Sequence, residues 1–90
     1  MKLEDDGLPL RGWDWIQEEN IRQLNKWGFQ KHTSFEWLAY ITEELGELSK
    51  AVCEHKYRDG NIDEILEEAI QVATLAIKIA GMYFKIKEKE

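Results

Sequence analysis

Apolar residues recur along this chain in three blocks, each at the three- and four-residue steps of an amphipathic helix. In the first block Trp13, Ile16, Leu24 and Trp27, with Asn20 and Ile21 between them, predict a helix that Gly28 is placed to stop. The second opens on Thr33-Ser34-Phe35-Glu36, which has the form of a capping box: the Thr hydroxyl takes a first-turn amide and the Glu carboxylate reaches back. From there Trp37, Leu38, Ile41, Leu45, Leu48 and Val52 carry a helix to about Tyr57, and Arg58-Asp59-Gly60-Asn61 supplies turn residues. In the third block Asn61 and Glu64 repeat the capping pattern, Asp63 and Glu64 sit near the positive helix end, and the helix is expected to reach about Lys87. Residues 1–12 are polar, contain the only proline and end in Gly12, so they read as an irregular N-terminal arm before a single all-α domain over 13–90.

The third helix is apolar over well over half its circumference, from Ile65 and Leu66 through Tyr83, Phe84 and Ile86, which leaves Thr74, Lys78, Gly81 and Lys85 for solvent. Two partner helices of one small chain cannot cover so wide a stripe. The expected fold is therefore all-α, with three main helices completing a four-helix-bundle-type core through dimerisation, in a homodimer or homotetramer.

Composition narrows the setting. Ninety residues make one small domain, of the size that self-association often supports. Eighteen Asp and Glu against twelve Lys and Arg exclude a general surface for nucleic acid polymers or anionic membranes, both of which need a concentrated basic patch. A phosphate-bearing ligand would need a metal in between. At 43% hydrophobic, with four Trp, the chain is rich enough in large apolar groups to fold. Cys53 stands alone, which excludes an intrachain disulfide and a zinc site built on thiolates. Glu4, Asp5 and Asp6 lie where a signal peptide needs a cationic start, and no run is expected to reach transmembrane length, so the expected setting is soluble, reducing and cytoplasmic.

The chemistry gathers on two helices. Glu43, Glu44 and Glu47 form a carboxylate face beside the seam of Ile41, Leu45, Leu48 and Val52. On the third helix Glu64, Glu68 and Gln71 share one edge, and Glu68 is flanked by the apolar positions Val72, Leu75 and Ile79. A lone carboxylate in such surroundings must be protonated, paired or bound to a cation. If the two helices run antiparallel, Glu44 and Glu47 face Glu68 and Gln71, an arrangement by which helical bundles build metal sites. The all-oxygen set suits Mg²⁺ or Mn²⁺. Two readings stand at this point: a cation site that handles phosphates, or a solvated helical face to which Glu43, Glu44, Glu47, Glu54 and Glu64 all belong.

Glu43-Glu44-Leu45-Gly46-Glu47, followed after a turn by Glu67-Glu68-Ala69-Ile70-Gln71-Val72, resembles the MazG-like all-α nucleoside triphosphate pyrophosphohydrolases, whose signature is EExxE on one helix and ExxD on the next. The likeness spans about Trp13 to Ala80. It implies a dimeric or tetrameric helical bundle, Mg²⁺ (with Mn²⁺ as a substitute) on the two acidic motifs, and cleavage between the α and β phosphates to monophosphate and pyrophosphate. By this resemblance Glu44, Glu47 and Glu68 are the catalytic metal-binding glutamates, and Glu43 precedes them in its pair. Gln71 stands where the family has aspartate. An amide oxygen can ligate Mg²⁺ but brings no charge, which leaves three outcomes: Glu43 or Glu64 substitutes, Gln71 binds substrate, or catalysis is lost and the scaffold kept. The last is the alternative function, a non-catalytic bundle that binds nucleotide or serves in assembly.

Further substrate contacts are assigned to Lys50, Lys31 and His32, which could meet a triphosphate, and to Trp15 and Trp37, which could stack a base. Each has a plainer counterpart: Lys50 paired with Glu47 or Glu54, a loop Lys-His pair with no special role, and tryptophans spent on packing. No Ser-His-Asp set, Cys-His pair or glycine-rich phosphate loop occurs.

Overall fold

The start and stop signals of the helices set the architecture. The computed structural model describes residues 9–90 and is all-α over them, with α1 over Gly12–Trp27, α2 over Ser34–Arg58 and α3 over Ile62–Lys89. The part of the expected arm before Pro9 lies outside the described residues; Pro9 to Arg11 form a turn in which Gly12 N–H donates to Pro9 O at 3.0 Å. Ahead of α2, Thr33 makes the full capping box: Glu36 N–H donates to Thr33 Oγ1 at 3.2 Å, and Thr33 N–H to Glu36 Oε1 at 2.9 Å. The cap of α3 differs from the expected one. Asn61 Oδ1 accepts from Asp63 N–H at 2.9 Å, while Glu64 N–H goes to the Asn61 carbonyl.

Two positive-φ residues end the first two helices. Gly28, at φ 72°, stops α1 and donates its N–H to Leu24 O at 2.8 Å. Asp59 takes the left-handed conformation after α2, and its own N–H and that of Gly60 both reach back to Glu54 O, the latter at 2.9 Å, so the last carbonyls of the helix are closed over one residue further back than in a Schellman ending. A Cβ at Gly60 would meet backbone and Cβ atoms of Glu54 at 2.9 Å, so only glycine lets the chain fold this closely over the last turn. His55 Nδ1 lies 2.9 Å from the Gly60 carbonyl and closes the same turn.

That fold-back sets the register of α2 against α3. Both α2 and α1 pack on α3, but the backbones of α1 and α2 do not approach each other, so a groove runs between them across α3. Among the described residues the buried hydrophobic core is small: Trp37, Ala51 and Leu75.

Here α3 departs from the wheel drawn from sequence. Thr74, expected in solvent, is the most buried side chain at 2% exposure. It faces inward without an orphan donor because its hydroxyl donates to Ile70 O at 2.8 Å on its own helix. Lys78, also expected in solvent, is half-buried: its ammonium sits 5.3 Å from the Trp37 ring centre and donates to Gln23 Oε1. Its long stem is amphipathic enough to line an inner face. Gly81 and Lys85 border the same groove. The outer side is correspondingly apolar, with Ile62, Leu66, Ile77, Tyr83, Phe84 and Ile86 exposed. By length and composition alone, α3 is long and apolar enough to cross a membrane. This corrects the expectation from sequence, which looked for an uninterrupted apolar run, whereas Lys78 and Lys85 interrupt this one without breaking it.

Candidate functional site

Successive levels of the α2–α3 seam bring the acidic motifs together. Gly60 lies against Glu54, Glu47 and Glu68 share one cleft wall, Glu44 and Gln71 share the next, and Trp37 meets Lys78 above them. At the centre Glu44 and Glu68 come within hydrogen-bonding reach of each other. Glu44 Oε2 and Glu68 Oε2 are both buried, and neither receives a hydrogen bond from any other described residue. The hydrogen bond with Glu44, then burial, then the charges of Glu44, Glu47 and Glu19 push the Glu68 carboxyl up from 4.5 to about 7. Near neutrality this pair holds a proton that a cation could replace.

These oxygens form a donor set suited to a hard divalent cation, and their orphaned state is what such an ion would relieve. Among the described residues no three His, Cys, Asp or Glu side chains converge as a complete cage. The seam explains why: Glu47 is exposed and lines a second cleft with Glu64, Glu67 and Glu68, while Gln71 opens into the first with Glu44. Glu43 is exposed on the rim of that first cleft.

The first cleft, of about 290 Å³, occupies the groove between α1 and α2. Trp27, Trp37 and Tyr40 give it aromatic walls, Gln23 and Gln30 give it amides, and Arg22 is the one cation among the described residues that line it. A network tied to Glu19 fixes the α1 side. Arg22 Nε and Nη2 donate to the two Glu19 oxygens at 2.8 and 2.7 Å, and Gln23 Nε2 donates to Oε2 at 2.7 Å. Burial alone would raise the Glu19 carboxyl, yet these hydrogen bonds and the Arg22 and Lys78 charges outweigh it and hold the group below its ordinary value. Burial lowers Lys78, with Glu19 partly opposing.

The remaining sequence candidates are scattered. Trp37 is buried and works as a packing anchor whose ring lines the cleft, rather than as an open stacking platform. His32 packs edge-on against Trp37 and Tyr40, with centroids 4.8 and 5.1 Å away, and its Nδ1 lies 3.6 Å from Glu36 Oε2; it is part of the aromatic cluster, not a free loop residue. Lys50 lines the acidic second cleft and makes no ion pair with Glu47 or Glu54, the latter pairing with Arg58 instead. Trp15 and Lys31 are exposed and line neither cleft. Sequence reading missed Arg22, Gln23, Gln30 and Tyr40, since polar side chains on the rim of a groove carry no periodic signal.

Compared with models of known families, with curated proteins and with solved structures, the chain matches none.

The Glu68 carboxyl makes stability depend on pH. Because folded Glu68 holds its proton more tightly than the unfolded chain does, its contribution is full below about 4.5 and is lost as pH rises through about 7. The melting temperature of the metal-free protein should therefore fall across that interval. Glu68→Gln, which stays neutral throughout, should flatten the slope; an unchanged slope in the variant would contradict the assignment.

Proposed function

We propose that this chain is a small Mg²⁺-dependent nucleotide pyrophosphohydrolase, acting on a nucleoside triphosphate or related nucleotide. The observation that carries the proposal is the Glu44–Glu68 pair, with an orphaned oxygen on each side, beside an aromatic and amide-lined cleft. The likeness of Glu43–Glu47 and Glu67–Val72 to the MazG-like signature points the same way. Glu44 and Glu68 would hold Mg²⁺ (or Mn²⁺), with Glu47 and Gln71 at its flanks and Glu43 or Glu64 as substitutes. When bound, the ion neutralises polyphosphate charge and makes a water easier to deprotonate.

The chain's own groups supply the rest. Trp27 and Tyr40 line the cleft as aromatic walls against which a base would pack, and Gln23 and Gln30 line it with amides that carry both donors and acceptors for its edge. Water attacks the α phosphorus, the bond to the bridging oxygen of the β phosphate breaks, and pyrophosphate leaves. The ionised carboxylates of the cluster take the proton that the water gives up.

Gln71 and the lack of a three-carboxylate convergence favour a second reading, a non-catalytic bundle that binds nucleotide or serves in assembly. Incubation with a panel of triphosphates and Mg²⁺ separates the two. The hydrolase releases pyrophosphate and monophosphate, and Glu44→Gln or Glu68→Gln lowers the rate on the order of a hundredfold or more, since even indirect partners of a metal site cost about 10- to 100-fold. Release of orthophosphate alone would contradict the mechanism, and an inert wild type that gains activity on Gln71→Asp would establish the second reading.

The same proposal includes self-association as a homodimer or homotetramer. On α2, Leu38, Leu45 and Val52 recur at seven-residue steps and are exposed. On α3, exposed Ile62, Leu66, Ala69, Ala76, Ala80 and Tyr83 recur at steps of three, four or seven, with small alanines that permit close helix approach. Apolar surface so arranged on a chain with so small a core calls for a second copy. Light scattering at micromolar concentration should give at least a dimer mass, and Leu66→Glu should lower it; a wild-type monomer would contradict the assembly.

A further inference from the structure

Arg22 carries an inference beyond the ligands of a cation. Its guanidinium is not a loose surface charge: the side-on fork to Glu19 fixes its plane through two of its five N–H donors. Glu19 is itself anchored, with a side chain 10% exposed, whereas Arg22 remains 48% exposed. The other three donors are thus held in a set direction at a surface open to solvent. Arg22 is the cation lining the cleft that also holds Glu43, Glu44 and Gln71. It feels the charges of Glu44 and Glu67, yet its one ion pair among the described residues is with Glu19. A cation and a carboxylate cluster therefore face each other without closing into a salt bridge.

A ligand that is anionic towards Arg22 and cation-bearing towards Glu44 and Glu68 fits that gap, and a metal-complexed phosphoanhydride is such a ligand. We propose that Arg22 is the anion-binding residue of this cleft, clamping phosphate oxygens while the seam carboxylates hold the accompanying cation. The proposal rests on the nucleotide-site reading above. Planar guanidinium suits the task better than ammonium, since it can give two parallel N–H bonds to one phosphate group. Of the other cations near the seam, Lys78 is engaged by Gln23 and Trp37, and Lys50 lines the second cleft and not this one.

Inorganic pyrophosphate, titrated calorimetrically with Mg²⁺ present into the full chain, is the direct probe. Arg22→Gln should weaken its binding on the order of ten- to a hundredfold, the range of a lost charge-assisted contact. Binding of Mg²⁺ alone should hold or tighten in that variant, because a cation near Glu44 has been removed. Arg22→Lys, which keeps the charge without the fork, should bind with intermediate affinity and decides the matter if Arg22→Gln loses its helical circular dichroism. No uptake of pyrophosphate by wild type, equal affinity in wild type and variants, or a parallel loss of Mg²⁺ binding would each overturn the assignment. Two further outcomes separate it from the hydrolase reading. Nucleotide cleavage with kcat and KM unchanged in Arg22→Gln would remove Arg22 and leave the hydrolase standing. Arg22-dependent pyrophosphate binding in a wild type that cleaves nothing would do the reverse.

Discussion

Glu44 and Glu68 meet across the seam of α2 and α3, each with one oxygen cut off from water and from every other donor of the described chain. Two unit charges about 4 Å apart repel by roughly 4 kcal/mol at an effective dielectric of about 20. A typical hydrogen bond contributes only about 1 kcal/mol net, so no ordinary contact nearby offsets that repulsion. The pair must carry a proton or a cation. Alone, the protein takes the proton, which is why Glu68 keeps it up to about pH 7. Natural sequences tend to tolerate such a conflict where it serves a site.

The rest of the architecture keeps this contact in place. The fold-back at Asp59 and Gly60 sets the register that puts Glu68 opposite Glu44 and Glu47 rather than a turn away. On the far side, Glu19 and Lys78 join α1 to α3 through Gln23, which holds the groove between α1 and α2 open beside the carboxylates. What the single chain leaves unresolved is its own surface. Among the described residues its core amounts to Trp37, Ala51, Leu75 and the hydroxyl-satisfied Thr74, while the outer stripes of α2 and α3 stay apolar. A site built on a seam this thin depends on something holding the helices together, which is the physical reason to couple assembly to function in the proposal.

The helices were legible because their signals are local. The Thr33 box, the Asn61 cap and the glycines at 28 and 60 each act within a few residues, and the three observed elements begin and end within about two residues of the expected bounds. The approach of Glu44 to Glu68 was legible too, since periodicity put both beside apolar seams and the short turn implied an antiparallel pair. The phase of α3 was not. A helical wheel assigns Thr74 and Lys78 to water by polarity, but cannot see that Thr74 bonds Ile70 O or that Lys78 lies over Trp37. Between the stacking and packing roles that sequence left open for Trp37, burial favours packing, through contacts with His32 and with Lys78 of α3 that its place on α2 does not reveal. Arg22 and Gln23 gain meaning only once α1 lies beside the seam.

The central claim is that the Glu44–Glu68 pair is a cation site closed by a proton in the ion's absence. A crystal grown with Mn²⁺ and measured at the manganese absorption edge tests it most directly. The account predicts an anomalous peak between Glu44 and Glu68, within ligand distance of an oxygen of each. A peak elsewhere on the acidic surface, or none at millimolar Mn²⁺ with the two carboxyls still in mutual contact, would contradict it.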